Sequence, residues 1–397
     1  MEAASKMEKS EMNKSTGMKY RNLRVIISGG GTGGHIFPAL SIADRLKELN
    51  PATEILFVGA EGRMEMEKVP AAGYRIKGLP VAGLKRSLAL SNLALPYKVI
   101  KSIRMAKKMI REFKPDIAIG VGGYASAPLL WAAGRMGIPT LIQEQNSFAG
   151  LTNRIVGKKA ESICVAYDGM ERFFPAERIV FSGNPIRKEI VPAGIKMKET
   201  AYEYYRLHPK KKHLFVVGGS LGCRTLNESL MKWIEDGCPG GEDIEVIWQC
   251  GKYYKGAVDE FMNSRKAAGQ NLDAVRHYDF IKRIDLAYAA ADVVVSRSGA
   301  SSVSELCAAH KAVIFVPSPN VAEDHQTHNA MALVSRDAAM MVRDSDARET
   351  LMREVCRLIE DKEKIALLEA NIASLAKTEA AAAIAEEVYR ITEDKER

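Results

Sequence analysis

Short apolar runs alternate with longer amphipathic segments along most of the chain. In the first half the runs lie at 24–28, 54–58, 117–121, 139–143, 162–165 and 179–181; in the second half they lie at 214–217, 245–249, 275–278, 293–296, 312–316 and 340–342. Strands that alternate with helices are typical of parallel sheets with right-handed crossovers. The runs at 293–295 and 313–316 are apolar throughout, as expected for strands buried on both faces. The pattern predicts two α/β halves.

A boundary between the halves is predicted after Gly-Asn-Pro-Ile-Arg at 183–187. The stretch from there to 212 contains proline, glycine and a lysine run, which indicates a linker and a polar helix. The segment from about 361 is rich in alanine and glutamate and reads as helical. We therefore predict a disordered extension at 1–21, domains at 22–186 and 187–370, and a C-terminal helix at 371–397.

Composition narrows the class of protein. The 397 residues are 47% hydrophobic and 27% charged, with a net charge of +8, which favours an anionic partner such as a nucleotide, a nucleic acid or an acidic membrane surface. No run reaches the roughly 18 apolar residues of a membrane-spanning helix, and the polar first 20 residues do not resemble a secretory signal. Six scattered cysteines without a C-x-x-C pair indicate reduced thiols in the cytosol.

The first predicted strand ends in the glycine elbow Gly-Gly-Gly-Thr-Gly-Gly at 29–34, before a helix predicted from about Pro38. Glycine lets backbone approach a ligand, and a helix N-terminus offers N–H groups to phosphate. The elbow also fits G-x-G-x-x-G, with Glu61 as a ribose-binding acid, so an NAD-dependent oxidoreductase is one alternative. His35 follows the elbow and either packs as a structural side chain or acts as a base.

Two further elbows occur in the second half. Gly-Gly-Ser at 218–220 follows a strand and precedes a helix, which predicts a second phosphate site. In Ser-Arg-Ser-Gly-Ala-Ser-Ser-Val-Ser-Glu at 296–305, Ser302 and Glu305 form the S-x-x-E pattern of a capping box. Alternatively, Glu305 accepts hydrogen bonds from a ribose diol while the N–H groups of the loop hold phosphate.

Other polar residues follow predicted strands, where ligands bind in open α/β sheets. Tyr124 lies in Gly-Gly-Tyr after one strand, and Asn146 follows the next, either as a turn residue or as a site residue. Asp-His-Gln-Thr-His-Asn at 324–329 lacks the spacing of a metal site and suits sugar recognition. Asp344 and Asp346 form D-x-D but precede a helix, so an N-cap is a better interpretation than a metal ligand.

The segment 79–108 combines apolar residues with a helix that carries several basic side chains. It is either an ordinary solvated helix face or an interfacial patch whose lysines contact anionic lipid headgroups. The same lysines could favour RNA, but no aromatic-stacking motif accompanies them. The basic positions are Lys98, Lys101, Arg104, Lys107 and Lys108.

Seven motifs in this order resemble the MurG family of bacterial N-acetylglucosamine transferases. They are Gly-Gly-Gly-Thr-Gly-Gly-His at 29–35, Gly-Gly-Tyr at 122–124, Glu-Gln-Asn at 144–146, Gly-Asn-Pro-Ile-Arg at 183–187, Gly-Gly-Ser at 218–220, Ser-Gly-Ala through Glu at 298–305, and His-Gln at 325–326. The resemblance covers about 23–375. It implies the GT-B glycosyltransferase fold, two Rossmann-like domains with parallel sheets facing across a cleft, and a C-terminal helix whose first part packs back toward the N-terminal domain.

The resemblance also implies roles for individual residues. UDP-N-acetylglucosamine would bind mainly to the C-terminal domain. Ser220 and the 300–302 segment would contact phosphate. The backbone of Ile281 would contact uracil, and Glu305 would bind the ribose. The N-terminal elbow would close over the sugar and hold the acceptor diphosphate, and the 79–108 region would contact the inner membrane. The complete set of predicted substrate-binding residues is Thr32, Gly33, Gly34, Tyr124, Asn146, Arg187, Ser220, Ile281, Ala300, Ser301, Ser302, Glu305 and Gln326.

The implied reaction is an inverting transfer of N-acetylglucosamine to the C4 hydroxyl of undecaprenyl-linked N-acetylmuramoyl-pentapeptide, with His35 as the candidate base and no cofactor, metal or nucleic acid. The protein would be peripheral on the cytoplasmic side of the cell membrane. Ser301 and Ser302 replace the Leu/Met-Thr pair common in the family. The rivals are a transferase acting on another lipid, such as diacylglycerol, and a UDP-N-acetylglucosamine 2-epimerase.

Overall fold

The chain divides into two compact units. The computed structural model describes residues 20–81, 95–219 and 221–395. The second unit spans Arg187–Lys377, and the first contains the residues before Arg187 together with the segment that begins at Thr378. The predicted disordered extension therefore lies, up to residue 19, outside the described residues.

In the described part of the first unit, seven strands form one parallel sheet in the order β3-β2-β1-β4-β5-β6-β7. The strand order reverses between β1 and β4, so the carboxyl ends of these two strands border the crevice where open α/β sheets bind ligands. The strands are β1 Arg24–Gly29, β2 Glu54–Ala60, β3 Arg75–Leu79, β4 Ile117–Gly122, β5 Thr140–Glu144, β6 Ser162–Val165 and β7 Ile179–Phe181.

The second unit repeats this plan. Its described residues form a six-stranded parallel sheet in the order β10-β9-β8-β11-β12-β13, and the order reverses between β8 and β11. The strands are β8 Lys212–Val217, β9 Ile244–Gln249, β10 Val275–Tyr278, β11 Val293–Ser296, β12 Val313–Phe315 and β13 Met340–Met341. The prediction of two α/β halves with parallel sheets is confirmed.

Helices cover both sheets and bury their apolar faces against them. In the first unit they are α1 Gly33–Leu49, α2 Glu65–Ala71, α3 Leu95–Phe113, α4 Ser126–Arg135 and α5 Leu151–Val156. In the second unit they are α6 Ile195–Tyr205, α7 Arg224–Glu235, α8 Lys255–Ala267, α9 Ile284–Ala290, α10 Ala300–Ala309, α11 His325–Val334, α12 Ala347–Glu360 and α13 Lys362–Ser374; α14 Ala380–Asp394 belongs to the first unit.

Two features of the first unit differ from the sequence prediction. The helix expected from about Pro38 begins at Gly33, because the glycines of the elbow adopt helical backbone and Pro38 is accommodated inside the helix. The strand β3 was not predicted. It lies at the edge of the sheet, and its exposed positions alternate with less exposed ones, so it lacks the continuous apolar run of a central strand.

The chain returns to the first unit at its C-terminal end. Helix α14 buries Ile384, Ala385 and Val388 in the same apolar core as β1 and α1. The Tyr389 ring packs against that of Tyr20 in a tilted arrangement, with 4.6 Å between ring centroids. Among the described residues, none of the helices combines the length and the apolar character needed to cross a membrane.

Candidate active site

The first glycine elbow lies at the reversal of strand order in the first unit. Thr32 is the last extended residue before α1, and its side chain makes no cap hydrogen bond. The helix therefore starts with Gly33 and Gly34, and the N–H groups of the first two residues of a helix have no partner within it. This places the predicted residues Thr32, Gly33 and Gly34 where an anionic or polar ligand group could approach backbone donors.

His35 joins the elbow to the end of β4. Its Nδ1 lies 3.0 Å from the carbonyl oxygen of Gly30 and 3.4 Å from Thr32 Oγ1. Gly122 has φ +104°, and a Cβ there would lie 2.6 Å from His35 Cδ2, so the imidazole packs directly on glycine backbone. Since a carbonyl oxygen only accepts, Nδ1 donates, and the lone pair of the neutral ring is at Nε2. That tautomer is the one that a base acting through Nε2 requires.

Tyr124 and Asn146 lie beyond the carboxyl ends of β4 and β5. Tyr124 is half-exposed at 49%. The Asn146 side chain and backbone N–H both donate to Glu144 Oε1, at 3.3 and 3.0 Å. This contact fits the turn role that the sequence allowed for Asn146, and a role in sugar binding stays a prediction.

Glu144 is a buried carboxylate that the sequence analysis did not single out. Besides Asn146, it accepts hydrogen bonds from the Gly150 N–H at 3.1 Å and from Asn153 Nδ2 at 2.9 Å. Burial raises the pKa of Glu144, and these donors oppose that shift. One side chain thus fixes the loop between β5 and α5. The polar segment Gln-Glu-Gln-Asn at 143–146 marked this loop in the sequence. Tertiary contacts decide which of its residues binds a ligand and which organises the loop.

In the second unit, Glu305 lies on α10 and is almost fully buried. Its Oε1 is 3.4 Å from Arg187 Nε. The hydroxyl of Tyr288 also hydrogen-bonds its carboxylate. Burial raises the pKa of Glu305, while Arg187 and the Tyr288 hydrogen bond lower it. The structure therefore brings together two predicted site residues, Arg187 and Glu305, and adds Tyr288.

The capping-box interpretation of Ser302 and Glu305 is wrong. Helix α10 begins at Ala300 with Gly299 at the N-cap position, and no side chain caps it. Ser302 is consequently the third helical residue, and Glu305 lies nearly a turn further along, where its carboxylate meets Arg187. Ala300, Ser301 and Ser302 form the first turn, the position from which backbone N–H groups can bind an anion.

Gln326 and Ile281 have different surroundings. Gln326 is the second residue of α11 and links two loops: its Oε1 accepts from the Ser318 N–H at 2.9 Å, and its backbone oxygen accepts from Ser298 Oγ at 2.8 Å. Ile281 is buried just after β10. Ser220 lies outside the described residues; the adjoining Gly219 has φ +84° and Gly222 φ +88°, a conformation that glycine favours.

The D-x-D pair has structural partners. Asp344 Oδ1 lies 2.5 Å from Arg297 Nη1. Asp346 occupies the N-cap position of α12 as predicted, but it makes no cap hydrogen bond and instead accepts from Ser345 Oγ at 2.8 Å. Within the described residues, no cluster of three His, Cys, Asp or Glu side chains is arranged to hold a metal ion.

Comparison with known proteins defines the class. Residues 25–165 match the glycosyltransferase family 28 N-terminal domain, and residues 213–388 match the family's C-terminal domain. Together with two parallel α/β units, these matches define a glycosyltransferase with the GT-B fold, as predicted.

Close relatives define the family further. A protein of Parabacteroides distasonis, named UDP-N-acetylglucosamine–N-acetylmuramyl-(pentapeptide) pyrophosphoryl-undecaprenol N-acetylglucosamine transferase, is 52% identical over 94% of this chain and 100% of its own length. A protein of the same name from Porphyromonas gingivalis is 50% identical over 94% of this chain and 97% of its own. The crystal structure of Acinetobacter baumannii MurG is 26% identical, with a TM-score of 0.74 over 93% of this chain and 99% of that one. The chain belongs to the MurG family.

Proposed function

We propose that this chain transfers N-acetylglucosamine from UDP-N-acetylglucosamine to the C4 hydroxyl of lipid-linked N-acetylmuramoyl-pentapeptide, the step from lipid I to lipid II in peptidoglycan synthesis. The observation that carries the proposal is the near full-length identity of about half to relatives named for this reaction. These relatives are named as N-acetylglucosamine transferases, and not as an oxidoreductase or a 2-epimerase. The proposed enzyme is a hexosyltransferase that needs no cofactor.

The second unit is the proposed donor site. Glu305 would accept hydrogen bonds from the ribose hydroxyls, and Arg187, 3.4 Å from it, would extend toward the donor. The first turn of α10 would bind diphosphate through its N–H groups, because the N-terminal end of a helix carries a partial positive charge that attracts anions. Ser220 would contribute at the second elbow, the Ile281 backbone would bind uracil, and Gln326 would bind sugar hydroxyls.

The first unit is the proposed acceptor site. The hydroxyl that attacks the anomeric carbon must lose a proton, and His35 is the proposed base because its Nδ1 donates to Gly30 and its lone pair is at Nε2. Thr32, Gly33, Gly34 and Asn146 would contact the transferred sugar, and Tyr124 the acceptor. Inversion would follow from a single in-line displacement, with the departing UDP stabilised by backbone donors and Arg187.

We also propose that the 79–108 region contacts the anionic inner face of the cell membrane, so that the protein is peripheral on the cytoplasmic side. Residues 82–94 lie outside the described part of the chain. In the described part, Tyr97 and Ile100 on α3 are 67% and 51% exposed. Lys107 and Arg135 lie over the partly exposed ring of Trp131, at 5.5 and 5.1 Å from its centroid. Exposed apolar side chains surrounded by basic ones are suited to an anionic lipid interface, because the apolar groups enter the lipid while the cations contact the headgroups.

The function is tested by measuring UDP release from UDP-N-acetylglucosamine, with and without a short-chain analogue of the lipid-linked muramoyl-pentapeptide. We expect release only when the acceptor is present, and none when UDP-glucose replaces the donor. Release without acceptor, together with free N-acetylmannosamine, would instead establish the 2-epimerase. Release that depends on diacylglycerol would establish the other lipid transferase.

A further inference from the structure

Glu65, at the start of α2, holds the first glycine elbow through both of its carboxylate oxygens. The side chain is buried, at 1% exposure. Oε2 accepts a hydrogen bond from the Gly31 N–H at 2.9 Å, and Oε1 accepts one from the Ala60 N–H at 2.9 Å. The carboxylate therefore connects the elbow after β1 to the end of the neighbouring strand β2. No sequence motif marks this residue, because both of its partners are backbone N–H groups, and one of them is 34 residues away in the sequence.

Two glycines provide the space that this carboxylate occupies. A Cβ at Gly30 would lie 2.2 Å from Glu65 Oε1, and a Cβ at Gly59 would lie 2.5 Å from Glu65 Cγ. Real Cβ atoms do not approach so closely, so any side chain at either position would displace Glu65. The carboxylate thus packs against glycine backbone near the ends of β1 and β2, and this close packing restricts it to one position.

The hydrogen bond from Gly31 leads directly to His35. The Gly31 N–H and the Gly30 carbonyl belong to the same peptide group, and a trans peptide points these two groups in opposite directions. Glu65 binds the N–H end at 2.9 Å, and the carbonyl end lies 3.0 Å from His35 Nδ1. A continuous chain of hydrogen bonds therefore runs from a carboxylate through one peptide to an imidazole.

We propose that Glu65 is a positioning residue for His35 and acts through the Gly30–Gly31 peptide. The carboxylate fixes the orientation of that peptide, polarises its carbonyl, and so keeps the proton of the neutral imidazole on Nδ1. Two adjacent glycines, one with φ +87°, would otherwise let the peptide rotate. A rotated peptide would present its N–H to Nδ1 and favour the opposite tautomer, with the proton on Nε2. The inference rests on the proposed role of His35 as the base.

The test is Glu65→Gln in the full-length protein, read by ¹⁵N NMR of the histidine rings and by kinetics. Gln replaces one acceptor oxygen with an NH₂ group, which cannot accept a hydrogen bond. Either the Gly31 or the Ala60 N–H therefore loses its acceptor. In the unchanged protein above neutral pH we expect His35 to carry its proton on Nδ1, with its signals assigned by their loss in His35→Gln. In Glu65→Gln we expect a mixture of tautomers and a fall in kcat on the order of 10²-fold, while KM for the donor stays within about threefold.

Matched variants separate this role from a general loss of structure. Glu67→Gln removes the same charge from an exposed position of the same helix and should change neither the tautomer nor kcat. Gly30→Ala displaces the carboxylate from the opposite side and should produce the same change of tautomer. This variant keeps the proposal testable if Glu65→Gln does not fold. The Nδ1–H tautomer persisting in both Glu65→Gln and Gly30→Ala would overturn the proposal. A changed tautomer with undiminished kcat would support the positioning and would remove His35 as the base.

Discussion

At the scale of single residues, the carboxylate of Glu305 experiences opposing influences on its protonation. Burial raises its pKa, and the nearby Arg187 guanidinium lowers it. Under the proposed function, Glu305 must be ionised in order to accept hydrogen bonds from both ribose hydroxyls. Arg187 would therefore have two effects on donor binding: its own contact with the donor, and its influence on the charge of Glu305.

We predict that Arg187→Gln moves the loss of UDP binding on acidification to higher pH. Without the guanidinium, burial raises the pKa of Glu305 further, so the carboxylate is protonated earlier as the pH falls. Each hydrogen bond to an ionised group contributes about 1.5–3 kcal/mol, so protonation should weaken binding by at least about tenfold. The measurement is the Kd of UDP by calorimetry between about pH 5 and pH 8.

Two substitutions serve as controls for this shift. Arg187→Lys keeps a positive charge near Glu305 and should leave the midpoint of the pH profile close to that of the unchanged protein. Lys188→Gln removes a charge from the neighbouring exposed position and should have no effect on it. An identical midpoint in Arg187→Gln and in the unchanged protein would contradict a role for Glu305 ionisation in donor binding.

The site residues divide into those that sequence could reveal and those that it could not. His35, Arg187 and Glu305 lie in motifs that follow predicted strands, so the sequence could single them out as candidates. Glu65 and Glu144 were not predictable as organisers, because their function depends on backbone donors brought to them by folding. The same limit explains the capping-box alternative, since S-x-x-E does not by itself say at which residue the helix begins.

At the scale of secondary-structure elements, the central strands were predictable and the edges less so. The apolar runs of β1, β4, β8 and β11 are continuous because helices cover both faces of each sheet. The edge strand β3 has the sequence Arg-Ile-Lys-Gly-Leu, whose exposed charges hide its pairing with β2. The start of α1 was also missed, because a glycine run carries little information on where helical backbone begins.

Helix α3 supports a prediction about membrane contact. We expect the paired substitution Tyr97→Ser and Ile100→Ser to weaken binding to anionic vesicles by at least about tenfold, since full burial of one such side chain contributes about 1.5–3 kcal/mol. Both side chains are exposed, so the protein fold should be unaffected. Co-sedimentation with phosphatidylglycerol vesicles gives the affinity, and phosphatidylcholine vesicles show how much of it depends on lipid charge.

The matched control for α3 is Ile195→Ser on α6, in the second unit. Ile195 is 80% exposed, so this variant removes an equally accessible apolar side chain from an unrelated surface. It should retain the vesicle affinity of the unchanged protein. An equal loss of affinity in the α3 pair and in Ile195→Ser would argue against a specific membrane surface on α3.

At the scale of the whole molecule, the two ends of the described chain meet in one unit. Arg21 Nη2 donates to the Thr392 carbonyl at 3.2 Å, and α14 completes the apolar core that β1 and α1 begin. The stability of the first unit therefore depends on residues that follow the entire second unit in sequence. The residues before Arg187 therefore supply only part of this core.

This dependence predicts where a substitution in α14 acts. Ile384 is fully buried, so Ile384→Ala should lower the free energy of unfolding by about 2–5 kcal/mol. Hydrogen exchange followed by mass spectrometry should show lost protection in β1 and α1, with β8 and α7 of the second unit unchanged, because α14 packs in the core of the first unit. The exposed neighbour substitution Glu386→Ala should alter neither unit. Protection lost mainly in the second unit would mean that α14 stabilises a different part of the protein from the one its buried side chains contact.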